Sequence, residues 1–427
     1  MKAVQLLAVA AAVGAALLAQ RVGAQSPLTT LYEFPSSTTQ YPAVPNGVVG
    51  GNGVLYGTTQ FGGAAGAGTV FELQPPTSPG GSWTETDLYT FTGQNGDGAE
   101  PAGSPVVGPN GVLYGTTWYG GICIPNEPVC FGTVFELDPP SAPGGAWTEK
   151  VIYRFTSENG DGNQPLGKLV LGPGGALYGT AEDGGAFGYG TVFELKPPAG
   201  RGGLWSETTL YSFTGQNGDG ANPNNLTMSD NGVLYGTTLD LFAGQAGTVF
   251  ELKPPPTAGG AWTETVLHDF TGGADGCYPM YAPAIGPDGS LYGTTYGTII
   301  VILWPGVYGD GSVYKLTPPS EPGGTWAKSV LYDFGGCDNC PDSPLIFRNG
   351  AIYGTAGSIY GATGEIFELQ KSATAGTWTK TVLHAFSGDP GQVPSGTLVT
   401  GTDGALYGTT GTNAVISSFG MAYRFVP

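Results

Sequence analysis

Short strings recurring at long, nearly even intervals restrict this chain to very few architectures. Leu-Tyr-Gly-Thr opens at Leu55, Leu113, Leu177, Leu234, Leu291 and Leu406, with a variant at Ile352, so successive copies lie 54 to 64 residues apart. Gly-Thr-Val-Phe-Glu-Leu opens at Gly68, Gly132, Gly190 and Gly247, with variants at Gly311, Gly364 and Gly420. Leu-Tyr-x-Phe or a variant opens at Leu31, Leu88, Ile152, Leu210, Leu267, Leu331 and Leu383. Each of these three strings occurs seven times. A Trp ahead of the last one occurs only six times, at Trp83, Trp147, Trp205, Trp262, Trp326 and Trp378.

Each repeat reads as four short strands. Val106-Val107, Pro109-Asn110-Gly111 and Val112-Leu113-Tyr114 form a hairpin, in which Asn-Gly supplies the positive φ of a tight turn. Thr133 to Leu137 is a third strand, ended by Pro139-Pro140 because proline cannot donate to a ladder. Trp147 to Phe155, rich in β-branched and aromatic residues, is the fourth. Repeats of this length with four strands predict propeller blades. The chain opens on a fourth-strand motif, Leu31 to Phe34, and stops just after a third strand, at Val426-Pro427. The two ends are therefore complementary parts of one unit. The expected fold is an all-β, seven-bladed β-propeller of four antiparallel strands per blade, with the N-terminal strand completing the last blade. Its blades fall at about 41–91, 101–155, 165–213, 223–270, 279–334, 344–386 and 394–425 plus strand 28–34, one domain over residues 25–427.

The Leu-Tyr-Gly-Thr-Thr at 55–59, the Gly-Thr-Val-Phe-Glu-Leu at 68–73 and their six echoes resemble the GloVer tandem repeat of secreted "choice-of-anchor" proteins. The resemblance covers essentially everything after residue 27. It implies an extracellular repeat protein and brings no catalytic residue set with it. The chain ends on a strand without a sorting or anchoring tail, which favours free secretion over cell-surface attachment.

The first residues agree with export. Lys2, the apolar run from Ala3 to Ala19 and Val22-Gly23-Ala24 have the order of a signal peptide, with cleavage after Ala24. The run is shorter than the ~20 residues a membrane span prefers, and no later stretch replaces it. With 14 Lys+Arg against 33 Asp+Glu, the net charge of −19 repels phosphate backbones and anionic lipid, which disfavours nucleic-acid and membrane-surface partners. Two His leave little room for His-based metal or triad chemistry.

Residues repeated sevenfold are expected to pack blades. His268 and His384 occupy the slot of Tyr32, Tyr89 and Tyr153 and are read as substituted packing residues. The Glu at 72, 136, 194, 251 and 368 suggests a carboxylate ring, but Lys315 and Arg424 replace it elsewhere, which favours structural pairing. Asn-Gly-Asp-Gly at 95–98, 159–162 and 217–220 resembles half of a calcium loop. The first ligand position would be Gly93, Ser157 or Gly215 and no bidentate Glu follows, so the turn reading is preferred, with no cofactor expected and calcium the one candidate.

In an antiparallel meander the loops after the second and fourth strands share one face. The loops after Leu-Tyr-Gly-Thr differ in every blade, and the two Trp outside the repeat slot, Trp118 and Trp304, both belong to them. Trp118, Tyr119, Tyr296 and Trp304 are expected as aromatic platforms, with Glu182, Asp183, Asp240 and Asp310 as polar groups. All five Cys fall at this end. Cys123 and Cys130 bracket one insertion and are expected to form a disulfide. Cys337 and Cys340 form a second candidate pair, with Cys277, one blade earlier, an alternative partner for either. These features point to a secreted, monomeric binding module for a glycan or an extracellular protein. A glycoside hydrolase or polysaccharide lyase using carboxylates of the same face, and a purely structural protein, are the alternatives.

Overall fold

The computed structural model describes residues 27–34, 45–51, 53–78, 80–124, 130–142, 144–200, 203–240, 245–257, 259–297, 310–321, 323–335, 340–357, 363–372, 377–387, 393–411 and 420–427. The expected leader, Trp304 and Cys337 lie outside them. The described strands form seven antiparallel sheets, so the chain is a seven-bladed β-propeller. Blades 1 to 6 take consecutive strands from 45–90, 98–154, 162–212, 223–269, 284–335 and 340–387. In blades 3 and 6 the first strand is broken into two short pieces, both paired to the same second strand. Blade 7 joins 393–425 to the N-terminal strand Leu28–Glu33, which pairs Leu28 with Phe425 and Glu33 with Met421. No helix among the described residues is long and apolar enough to cross a membrane.

Each repeated string has a packing reason. The Gly of Leu-Tyr-Gly-Thr faces the third-strand aromatic, as in the pair Gly115–Phe135. A Cβ at Gly115 would meet the Phe135 ring at 2.4 Å, so only glycine leaves the ring room to lie across the neighbouring strand. In the fourth strand, the Leu of Leu-Tyr-x-Phe is the extra residue of a β-bulge: Val70 pairs with Tyr89 and Phe71 with Asp87, skipping Leu88. The following Tyr and Phe then share a face two residues apart, with Tyr89 and Phe91 edge-to-face at 5.1 Å. His268 and His384 fill the same slot and contact Phe270 and Phe386 at 4.7 Å.

The Phe of each fourth strand meets the third-strand ring of the next blade. The pairs are Phe34–Phe71, Phe91–Phe135, Phe155–Phe193, Phe213–Phe250, Phe270–Tyr314, Phe334–Phe367 and Phe386–Tyr423, with centroids 4.9 to 5.4 Å apart. Every blade junction therefore carries one such pair, the junction closed by the N-terminal strand included. Outside them, the strand-opening Trp rests on the Tyr of the preceding blade, as Trp147 on Tyr56 and Trp205 on Tyr114. The third-strand Glu residues serve structural pairs: Glu194 accepts from Tyr178 at 2.8 Å and Glu136 from Lys150 at 2.9 Å. Arg424, in the same slot, pairs with Asp403 at 2.7 Å.

The Gly that opens Gly-Thr-Val-Phe-Glu-Leu is squeezed between blades. Gly132 has φ +85°, and a Cβ there would lie 2.5 Å from the Thr117 carbonyl and 2.6 Å from Pro165 of the next blade. Gly144, at φ +78° in an exposed loop, has nothing within 4 Å of the same position. Gly144→Ala is expected to cost only the left-handed backbone term, about 1 kcal/mol, and Gly132→Ala about 2–4 kcal/mol in urea unfolding. Equal costs for the two variants would show that the junction contact contributes nothing.

Candidate functional site

The innermost strands surround the ring axis, and their shape is set just before a proline. Glu100, Gln164, Asn222 and Tyr278 each precede Pro in or just ahead of the first strand of blades 2 to 5 and have φ of 54–55°. That conformation is costly for residues with a Cβ, and the following proline makes the site more crowded. It is held by a hydrogen bond across the junction: these four N–H groups donate to the carbonyls of Ala67, Phe131, Tyr189 and Ala246 at 2.7–3.0 Å. The residues after each proline then line the axis.

An axial chamber of about 320 Å³ opens beside Gln60 and Trp118. Its wall is built from first-strand residues of six blades, among them Glu100, Lys168, Asn224, Asn225, Tyr281 and Thr397. A second chamber of about 380 Å³, lined by apolar residues such as Leu169, Val170, Leu226 and Met228, lies further along the axis. Lys168, Asn225, Pro344 and Thr397 line both and mark the boundary.

Trp118 stands at the mouth, stacked on Tyr119 with centroids 4.8 Å apart and planes at 32°. Its indole N–H is shielded from solvent and has no acceptor among the described residues. Gln60 donates to Glu100 at 3.3 Å, and burial raises the Glu100 carboxyl. Tyr119 senses both Glu100 and Glu182, which places these groups along one stretch of rim. Burial first, and then the charge of Asp183, push Glu182 up to about 7. Asp183 accepts from Asn222 at 3.2 Å. The insertion after Tyr119 is closed by the Cys123–Cys130 disulfide. Ile122 and Ile124 in it, and Phe187 in the equivalent loop of blade 3, are exposed apolar side chains on this rim.

Several expected site residues sit elsewhere. Tyr296 is only 5% exposed, held by its N–H to the Tyr278 carbonyl and packed in the core with Cys277, so it offers no platform. Asp240 is also buried, accepting from Thr238 at 3.1 Å, and burial pushes it up to about 7. Neither lines the axial chamber, and neither does Asp310, whose N–H bonds to the Gly273 carbonyl. Cys340 is buried in the same cluster as Cys277. In the Asn-Gly-Asp-Gly turns the carboxylate serves its own loop: Asp97, Asp161 and Asp219 each accept from the backbone and hydroxyl of the preceding Thr at 2.6–2.8 Å. The first-strand residues were missed because no string repeats there. The X-Pro step before each varied triplet is the signal that marks them.

Tyr281 donates to Asp342 at 2.9 Å beside the chamber, and burial pushes Asp342 up to about 7. Burial lowers the Lys168 ammonium. Among the described residues it has neither an ion pair nor a side-chain hydrogen bond.

A family model of the Gloeobacter/Verrucomicrobia repeat matches residues 18–250, 80–298 and 222–427, which together run through every blade. The chain belongs to this repeat family. No curated protein matches this member of the Gloeobacter/Verrucomicrobia repeat family in sequence. Among solved structures, a polysaccharide lyase, an ulvan lyase bound to -[GlcA(1-4)Rha3S]-, shares its fold at a TM-score of 0.57 and 9% identity, over 92% of this chain and 95% of that one. A second structure of an ulvan lyase gives 0.51 at 10% identity, over 92% and 95%. Trypanosoma rangeli sialidase in complex with sialic acid gives 0.42 at 8% identity, over 93% and 58%. At these identities the likeness is one of fold.

Proposed function

We propose that this repeat protein binds a glycan end in the axial chamber, with Trp118 and Tyr119 as the stacking surface at its mouth. One observation carries the reading: an aromatic shelf opens directly onto a cavity whose wall sets the amides of Gln60, Asn224 and Asn225 and the hydroxyls of Tyr281 and Thr397 among apolar side chains. Aromatic faces cover the apolar face of a sugar ring while side-chain amides meet its hydroxyls. A volume of about 320 Å³ suits a terminal sugar rather than the middle of a long chain. The ulvan lyase of similar fold was determined bound to a saccharide. The protein acts outside the cytosol, a reading supported by the Cys123–Cys130 disulfide.

A second reading, catalysis on the bound sugar, is favoured by the Tyr281–Asp342 pair, in which a tyrosine of the chamber wall donates to a carboxyl pushed up to about 7. A glycan array probed with the full chain, with product analysis on each hit, separates the two. Trp118→Ala is expected to weaken every array hit by about tenfold or more while leaving the melting curve within a degree or two. Retention of full affinity by the variant removes the channel mouth as the site.

A further inference from the structure

The Lys168 ammonium is an unusual object in this protein. Seven cationic side chains, those of Lys150, Lys196, Lys253, Lys315, Lys328, Lys380 and Arg424, form ion pairs with carboxylates. Lys168, like Arg154, Arg348 and Lys371, has no ion pair among the described residues, and of these four it alone lies half-buried at the boundary of the two axial chambers, in a chain of net charge −19. It is also the one cation lining either chamber among the described residues. An unpartnered charge in a confined site costs desolvation energy that a counter-charge repays.

The carboxyls at the chamber mouth and behind its wall are already engaged. Glu100 stands at the mouth with Gln60, and Asp342 accepts from Tyr281 with its carboxyl pushed up to about 7 by burial, so it carries its full charge only above that pH. Asn224 and Asn225 add amide groups beside the lysine on the chamber wall. Distant surface carboxylates are screened beyond the Debye length of about 8 Å at physiological salt, so the global charge does not cancel a local cation.

We infer that the chamber selects sugars bearing one anionic group, which Lys168 receives at the chamber floor while Trp118 covers the ring. The inference rests on the glycan-end reading above and adds the ligand's chemical class. A uronic carboxylate and a sulfate ester share the chemistry, and a single charged unit suits both the single lysine and the small chamber. A polyanion is disfavoured, because its further charges would lie at the acidic mouth beside Glu100 and Glu182.

The test titrates the full chain with methyl β-glucuronide, glucose 6-sulfate and methyl β-glucoside, read by ligand-observed NMR. At least one acidic sugar is expected to bind about tenfold more tightly than the glucoside, and raising salt from about 50 to about 500 mM should erode that preference. Lys168→Gln should bring all three within about twofold of one another, and Lys168→Arg should keep much of the preference. The Gln variant should melt no lower than the parent, since it removes an unpaired charge. A preference for the glucuronide identifies a carboxylate ligand, and a preference for the sulfate identifies a sulfated one. Equal binding of all three sugars, abolished by Trp118→Ala, overturns the role of Lys168 and leaves the chamber as a neutral-glycan site. Binding of none of them overturns both readings.

Discussion

Removing the chain up to Phe34 is expected to lower the melting temperature by about 10 °C or more. The strand Leu28–Glu33 is the outermost strand of blade 7, and its loss exposes the full hydrogen-bonding edge of Met421–Phe425. Two further bonds go with it, Phe34 N–H to the Gly420 carbonyl at 2.9 Å and Val426 N–H to the Pro27 carbonyl at 2.8 Å. Leu31 and Phe34 are buried, and each is worth roughly 1.5–3 kcal/mol in apolar transfer alone. Phe34→Ala by itself should cost about 3–5 kcal/mol, close to Phe155→Ala, because both rings make the same junction pair. A synthetic peptide of residues 27–34 should restore part of the lost stability in a concentration-dependent way. If Phe34→Ala costs under about 1 kcal/mol while Phe155→Ala costs several, the ring does not depend on its seam.

Stability should also fall as pH rises from about 4 to 8. Glu85, Glu149, Glu182, Glu207, Asp240 and Asp342 are pushed up to about 7 and Glu264 to about 8, in each case first by burial. Their unfolded values lie near 4, so the folded state holds more protons in between. The stabilisation is complete below about pH 4 and is lost as pH climbs through the folded values. His268 acts the other way: burial lowers it, and its contribution disappears as pH falls below its unfolded value. Asp275, Asp288 and Asp403 are lowered by their partners and lose stability only below about pH 4. The many outweigh the one, and the melting temperature at pH 5 should exceed that at pH 8 by about 5 °C.

Four of these carboxyls share one repeat slot, two residues after the strand-opening Trp. Glu149, Glu207 and Glu264 there feel Asp97, Asp161 and Asp219 of the preceding blade. At the next junction the slot holds Lys328, which pairs with Asp275 at 2.7 Å and lies over the Phe270 ring. Glu264→Lys should reproduce that pair with Asp219, raise stability at pH 8 by about 1–2 kcal/mol and flatten the pH profile. A destabilised or unchanged variant at pH 8 would show that the two junctions are not equivalent.

The strings that repeat are those whose packing partners repeat, which is why the frame could be read before any coordinates. Gly115 opposite Phe135, the bulge at Leu88 and the Trp147–Tyr56 contact all follow from close approach between neighbouring strands or blades. The chamber is different. Lys168, Asn224 and Tyr281 are spread over three blades and meet only because the ring closes. Trp118 and Tyr296 occupy the same position after Thr-Thr, and alternation gave both to the rim. The Tyr296 backbone is tied to Tyr278 and its ring turned into the core, a difference set by the neighbouring first strand.

The near-constant 4.9–5.4 Å separation of the seven junction rings has a consequence for how such proteins diversify. Uniform joints fix the bore, so selectivity must be written in the side chains that follow each proline. Exchanging residues at 168, 224 or 281 leaves those joints untouched. One scaffold can thus acquire new ligands by small edits around its hub, without renegotiating the contacts that keep it closed.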